Sequence, residues 1–270
     1  MKPVDFDYER PRSIAEAVTA LGANPAAKIM AGGQTLGPML NLRFAQPDMI
    51  VDITRIRDLV RVEETSEAMV LGACITHAAI EDGLVPDVTR GMMQRVASGI
   101  AYRAVRTRGT IGGSLAHADP AADWLACLLA LDATVIVSGR NGQQRWELER
   151  FVHGVMETAL QQDQIIDGIE IPRLTASARW GYHKICRKTG EFADAIGAVV
   201  IDRDLVRIVA GATGGAAFLL DGPADEVLGD VGQAVASVAE LYEKCFPGDL
   251  YALKVHMACV RRALDQARSG

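Results

Sequence analysis

The chain has 270 residues, 49% of them hydrophobic and only 5% aromatic, so it can bury roughly three-quarters of its unfolded surface, and disorder as the main state is excluded. Its formal net charge of −6 supplies no positive field for a polyanion, which sets nucleic acid aside as a partner. The uncharged apolar runs, around Leu125–Leu131 and Ala195–Ile201, fall far short of the roughly 20 residues that span a bilayer. Asp5, Asp7 and Glu9 stand where a secretion signal would be apolar, so a cytoplasmic protein without a membrane span is expected.

In chain order, Asp7–Arg10 reads as extended, and Ser13–Leu21 as an amphipathic helix opened by a capping box, Ser13 with Glu16. Lys28–Met30 and Met49–Ile53 read as short strands flanking a glycine turn, a βαβ-like order. Ala68–Ile75 alternates as a strand, His77–Glu81 starts a short helix, and Val88–Ala101 places Met92, Met93, Val96 and Ile100 on one helical face. After a basic, glycine-bearing turn, Asp119 as N-cap and Pro120 as first helical residue open a helix that ends near Leu131. Ala133–Ser138 and Arg145–Glu147 form a hairpin around Asn141-Gly142, and Gln164–Ile171 is a strand stopped by Pro172.

Beyond a boundary at residues 174–178, three extended segments (Trp180–Cys186, Ala195–Ile201, Leu205–Ala212) precede two or three helices, a small α+β unit. The five cysteines, Cys74, Cys127, Cys186, Cys245 and Cys259, include no CxxC pair and no histidine at ligand spacing. Neither a zinc site nor an iron–sulfur cluster can be built locally from them, and they read as buried thiols.

Two segments stand out for chemistry, Ala31-Gly32-Gly33-Gln34-Thr35-Leu36 and Thr110-Ile111-Gly112-Gly113-Ser114-Leu115. Paired glycines allow positive φ and let a ligand approach the main-chain N–H groups, and such turns hold phosphate oxygens. Gln34, Thr35, Thr110 and Ser114 add side-chain donors, and two such segments together suggest a long ligand with a pyrophosphate. Neither the Walker loop nor the Rossmann GxGxxG is present, nor is the GxSxG nucleophile elbow.

These segments, with Asp119-Pro120-Ala121-Ala122-Asp123, Tyr182-His183-Lys184 and Arg187-Lys188-Thr189-Gly190-Glu191-Phe192-Ala193, resemble the FAD-binding medium subunits of the molybdenum hydroxylases, the carbon monoxide dehydrogenase and xanthine dehydrogenase type enzymes. The resemblance covers essentially the whole chain. It implies an α+β protein with a flavin fold of the PCMH and vanillyl-alcohol oxidase type: two α/β lobes, residues 1–60 and 61–174, then a C-terminal domain, 175–270, of a three-stranded antiparallel sheet and helices. It further implies an electron-transfer role, taking electrons from the 2Fe-2S clusters of a small partner subunit and passing them to a terminal acceptor. The molybdenum cofactor would sit in a large partner subunit, and the assembly would be a dimer of heterotrimers. A stand-alone flavin-dependent oxidase or reductase of the same fold is the alternative.

Carried over to this sequence, Ile29, Met30, Ala31, Gly32, Gly33, Gln34, Thr35 and Leu36 would hold the FAD pyrophosphate. Thr110, Gly113 and Ser114 would contact the diphosphate and ribityl region, and Gly109 and Ala116 are expected among the cofactor-binding residues. Ile100 and Ala101 would line the flavin or adenine pocket, Ile166 the adenine side, and Asp123 would accept a hydrogen bond from the cofactor. Lys184 matches a lysine near the flavin, and His117 would lean over the ring or cap a turn. Glu191 and Phe192 match a mobile acidic–aromatic pair. Arg95, Arg103, Arg106 and Arg108 form a basic patch that, on this resemblance, would meet the iron–sulfur subunit or a negative acceptor.

Overall fold

A computed structural model of the chain describes residues 2–229, 231–245 and 247–269. Short apolar strands alternating with capped helices give its first sheet. Strands β1 (Asp7–Glu9), β2 (Lys28–Met30) and β3 (Met49–Asp52) pair in the parallel order β1-β3-β2. Between them lie α1 (Ile14–Ala23) and α2 (Leu36–Asn41). The Ser13 hydroxyl caps α1 by accepting from the Glu16 amide, but the Glu16 carboxylate turns back to the amide of Arg12, one residue before the cap.

The second sheet runs β4 (Val62–Glu64), β5 (Ala68–Gly72), β6 (Thr134–Gly139), β7 (Gly142–Glu147) and β10 (Ile165–Pro172), in the order β4-β5-β10-β6-β7. Strands β8 (Val152–Gly154) and β9 (Glu157–Thr158) form a two-stranded ribbon before β10. Helices α3 (His77–Glu81), α4 (Met92–Ser98), α5 (Arg103–Arg106), α6 (Ile111–His117), α7 (Asp123–Ala130) and α8 (Leu148–Phe151) lie on the chain between β5 and β8.

The third sheet is antiparallel in the order β11 (Arg179–Ile185), β12 (Ala195–Asp202), β13 (Leu205–Gly211) and β14 (Phe218–Pro223), followed by α9 (Ala224–Leu228), α10 (Val231–Cys245) and α11 (Leu250–Ser269). The α+β class is as expected, but this sheet has four strands, not three. Residues 218–223 carry a glycine and a proline and are only half-buried, so they lack the alternation that marks a strand in sequence.

Helix α7 is central: all eight of its residues are buried, and Trp124 and Leu128 join a hydrophobic core that also includes Val51, Leu71 and Ile169 of the first two sheets and Ile196 and Val209 of the third. A second cluster packs β12 and β13 on α11.

Three helical expectations are corrected. The Val88–Ala101 segment is helical only over Met92–Ser98, because Gly91 has φ +85° and Thr89 turns inward to take the Met93 amide on its hydroxyl. Helix α7 starts at Asp123, not Pro120. The Asp119 carboxylate caps a turn through the Ala121 amide, and the Pro120 carbonyl is used by the Ala212 amide, next to β13. Finally, Gly112 and Gly113 lie inside α6 rather than in a turn. Two glycines oppose helix by about 1 kcal/mol each, but tertiary contact overrides that: a Cβ on Gly112 would meet the Ala73 Cβ at 2.4 Å.

Candidate cofactor site

The parallel β1-β3-β2 sheet, helix α6 and the segment leading into β10 enclose a cleft of about 660 Å³, within the usual range of ligand sites. Of the predicted residues, Ile29, Ala31, Gly32, Gly33, Gln34, Thr35 and Leu36 line it, as do Ile100, Ala101, Gly109, Thr110, Gly113, Ser114, Ala116, His117, Asp123 and Ile166. Met30 and Lys184 do not. Met30 sits under the first loop, with its Sδ 3.5 Å from the place of a Cβ on Gly33.

The two glycine segments meet back to back and do different work. Gly33 adopts φ +71°, a conformation that costs an L-residue about 1–2 kcal/mol. A Cβ on Gly32 would come 2.1 Å from the Arg108 carbonyl oxygen. The turn leaves the amides of Gly33, Gln34, Thr35 and Leu36 without an acceptor among the described residues, while the Gln34 side chain braces the loop by donating to the Gly32 carbonyl at 3.2 Å. A run of unpaired amides on a cleft wall suits anionic oxygens.

The second segment is not such a nest. The amides of Ile111, Gly112 and Ser114 bond to the carbonyls of Ile75, Ala73 and Thr110, and that of Gly113 to the Thr110 hydroxyl at 3.1 Å. Gly112 and Gly113 are not at positive φ, so the expectation of a phosphate turn here is corrected. What α6 offers instead is the Ser114 hydroxyl, which has no partner among the described residues, and the smooth surface of Gly113.

Electrostatically the cleft is nearly free of cations: Lys28 is the one lysine or arginine among its described lining residues. Asp123 is buried. Its Oδ1 accepts from Tyr182 Oη at 2.7 Å and from Lys184 Nζ at 2.9 Å, and its Oδ2 from Lys184 at 3.1 Å. Burial raises the Asp123 carboxyl above its ordinary value, against the opposing pull of the Lys184 ammonium and the Tyr182 hydroxyl. Tyr182 is pushed well above the usual phenol value, chiefly by burial and then by the Asp123 charge. Lys184 is thus neither a solvated lysine nor a wall of the cleft, and much of the Asp123 accepting capacity is used inside the protein.

The arginines divide. Arg103 pairs with Glu81 and Asp82 at 2.7 and 2.5 Å, and Arg106 with Glu81 at 2.7 Å. The Arg106 Nη1 also donates to the carbonyls of Ile100 (2.9 Å) and Ala101 (3.2 Å), holding Ala101 at φ +42° on the cleft. Two members of the expected basic patch are therefore spent on α3. Cys74, Cys127 and Cys259 are buried as expected, whereas Cys186 is half-buried and Cys245 exposed.

Sequence reasoning missed His77, Trp124, Leu160 and the polar side chains of Thr158, Gln161, Gln162 and Gln164. The glutamine run beside Ile166 was the available signal. Glu191 and Phe192 also line the cleft, with Phe192 64% exposed.

The family model described as the FAD binding domain in molybdopterin dehydrogenase matches residues 4–174. The carbon monoxide dehydrogenase medium chain of Hydrogenophaga pseudoflava is 36% identical over 202 residues, covering 74% of this chain and 70% of the relative. The nicotine 6-hydroxylase medium subunit of Paenarthrobacter nicotinovorans is 37% identical over 203 residues, 74% and 70% respectively. Among solved structures, carbon monoxide dehydrogenase from Hydrogenophaga pseudoflava lacking the Mo-pyranopterin moiety of its cofactor superposes with a TM-score of 0.89 at 31% identity, over 100% of this chain and 99% of that one. Quinoline 2-oxidoreductase from Pseudomonas putida 86 gives 0.84 at 28% identity, over 100% and 99%. The chain belongs to the FAD-binding medium subunits of the molybdenum hydroxylases, an oxidoreductase family.

Proposed function

We propose that this chain is the electron-transfer subunit of a molybdenum hydroxylase complex, standing between the 2Fe-2S clusters of a small partner and a terminal acceptor. Substrate oxidation belongs, in this reading, to a large partner that holds the molybdenum cofactor. The observation that carries it is the run of unpaired amides at Gly33–Leu36 on the wall of a cation-poor cleft. That donor set fits the diphosphate of FAD, whose two negative charges would be met by oriented dipoles rather than by arginine. Bound FAD supplies two-electron redox chemistry that also proceeds in single-electron steps, as a station between one-electron clusters and an acceptor requires.

The chain's own residues then bind and orient. The amides of Gly33, Gln34, Thr35 and Leu36 hold the diphosphate, with Ile29, Ala31 and Gly32 shaping the loop from behind. The Thr110 and Ser114 side chains, with Gly109, Gly113, Ala116 and His117, form the facing wall. Ile100 and Ala101 pack on one end of the cofactor and Ile166 on the adenine side. Asp123 orients the cofactor with its remaining accepting capacity, and Lys184 acts on it through Asp123. The division into 1–60, 61–174 and 175–270 is part of the same reading, as are a dimer of heterotrimers and a cytoplasmic location. No described helix is long and apolar enough to cross a membrane.

The purified complex should release about one FAD per copy of this chain. A colourless complex without flavin would end this reading.

A further inference from the structure

His77 opens α3, is 5% exposed and lines the cleft. Its Nδ1 lies 3.0 Å from Trp124 Nε1. An indole N–H only donates, so Nδ1 is the accepting, unprotonated nitrogen and the ring proton of the neutral imidazole sits on Nε2. Burial, helped by the Arg106 charge, lowers this imidazole to about 4, so the neutral tautomer holds at neutral pH.

The Nε2–H has no acceptor among the described residues, yet no fully buried side-chain nitrogen or oxygen among them lacks a partner. The N–H is therefore reachable from the cleft. Its position is also defined: a Cβ on Gly109 would lie 2.8 Å from Nε2, and a Cβ on Gly32 would lie 2.8 Å from the Gly109 Cα. The donor thus stands where the amide-rich first loop meets the Thr110 segment.

We propose that His77 is a cofactor-binding residue whose Nε2–H donates to an oxygen of the diphosphate–ribityl segment of FAD, with Trp124 as the positioning residue that fixes its tautomer. The proposal rests on the reading of the cleft as the FAD site. It adds to the loop amides an uncharged side-chain donor from a different element, held rigid before the ligand arrives.

The test uses the amide side chains as mimics of each ring nitrogen. In H77N an acceptor stays near the Nδ1 position while the donor at Nε2 is lost. In H77Q the amide nitrogen reaches the Nε2 position while Trp124 loses its acceptor. The full apo-chain is titrated with FAD by flavin fluorescence, and its thermal unfolding is followed without FAD. H77N should bind FAD about tenfold more weakly, whereas H77Q should bind within about twofold of the wild type despite a lower melting temperature. Equal affinity of H77N and wild type overturns the proposal, as do losses in both variants that follow their loss of thermal stability. Independently of any variant, the His77 Nε2 resonance of the wild-type chain should shift on FAD addition, and an unmoved resonance overturns it too. A wild-type chain that takes up no FAD overturns the reading of the cleft, and the role of His77 with it.

Discussion

Lys184 and Asp123 form a buried ion pair, Nζ to Oδ1 2.9 Å, with side chains 11% and 7% exposed. The same ammonium donates to the Gly99 carbonyl at 3.1 Å. One cation therefore ties β11 of the third sheet to the first turn of α7 and to the residue that precedes Ile100 on the cleft wall. This is an anchoring role, different from a lysine placed against the flavin ring.

Lys184→Met should leave a buried carboxylate without its counter-charge and cost about 3 kcal/mol. The double variant D123N/K184M removes the unpaired charge as well and should recover a large part of that loss. Denaturant unfolding of the three chains measures both effects, and a single variant as stable as wild type contradicts the pairing.

The glycines should fail for different reasons. Gly33→Val forces a β-branched side chain into φ +71° and turns the loop amides away, so FAD content should fall with modest loss of stability. In Gly113→Val the new Cβ would stand 2.8 Å from the Thr110 hydroxyl and disrupt the cap of α6. Thr110→Ala should then reproduce about 1 kcal/mol of the G113V destabilisation. Flavin absorbance per chain and melting of the apo-chain separate the two.

His77 makes stability fall in acid. Its folded-state pKa, about 4, lies below the ordinary imidazole value of 6.5, so the folded chain binds this proton more weakly than the unfolded one. The contribution is intact above about pH 6.5 and drains away as pH falls toward 4, by about 3 kcal/mol in all. Unfolding of the apo-chain between pH 7 and pH 4 should show this slope, and H77N should flatten it.

Arg106→Met should loosen the Ile100–Ala101 carbonyls and weaken FAD binding by about fivefold, near 1 kcal/mol. Because the Arg106 charge also lowers His77, the imidazole should titrate at a higher pH in this variant. NMR titration of His77 reads the second effect, and an unchanged midpoint contradicts the coupling.

The alternating strand at Ala68–Gly72, the extended segment at Leu205–Gly211, the Ser13 cap and the first glycine loop were all legible along the chain, because each depends on residues within a few positions of one another. The family resemblance drew Asp123, Ile166 and the Thr110 segment toward one cofactor, and the fold brings them to a single cleft. Other features depend on partners far away in sequence. The helical state of Gly112 is decided by close packing on Ala73, the late start of α7 by a Pro120 carbonyl that serves Ala212, and the fate of Arg103 and Arg106 by Glu81 and Asp82. Trp124, 47 residues away, selects the His77 tautomer. Local pattern and turn chemistry determined the elements and the loop that faces a ligand; only the tertiary structure decided which donors and charges remain free to meet it, because a hydrogen bond or ion pair is used up by whichever group the fold brings within reach.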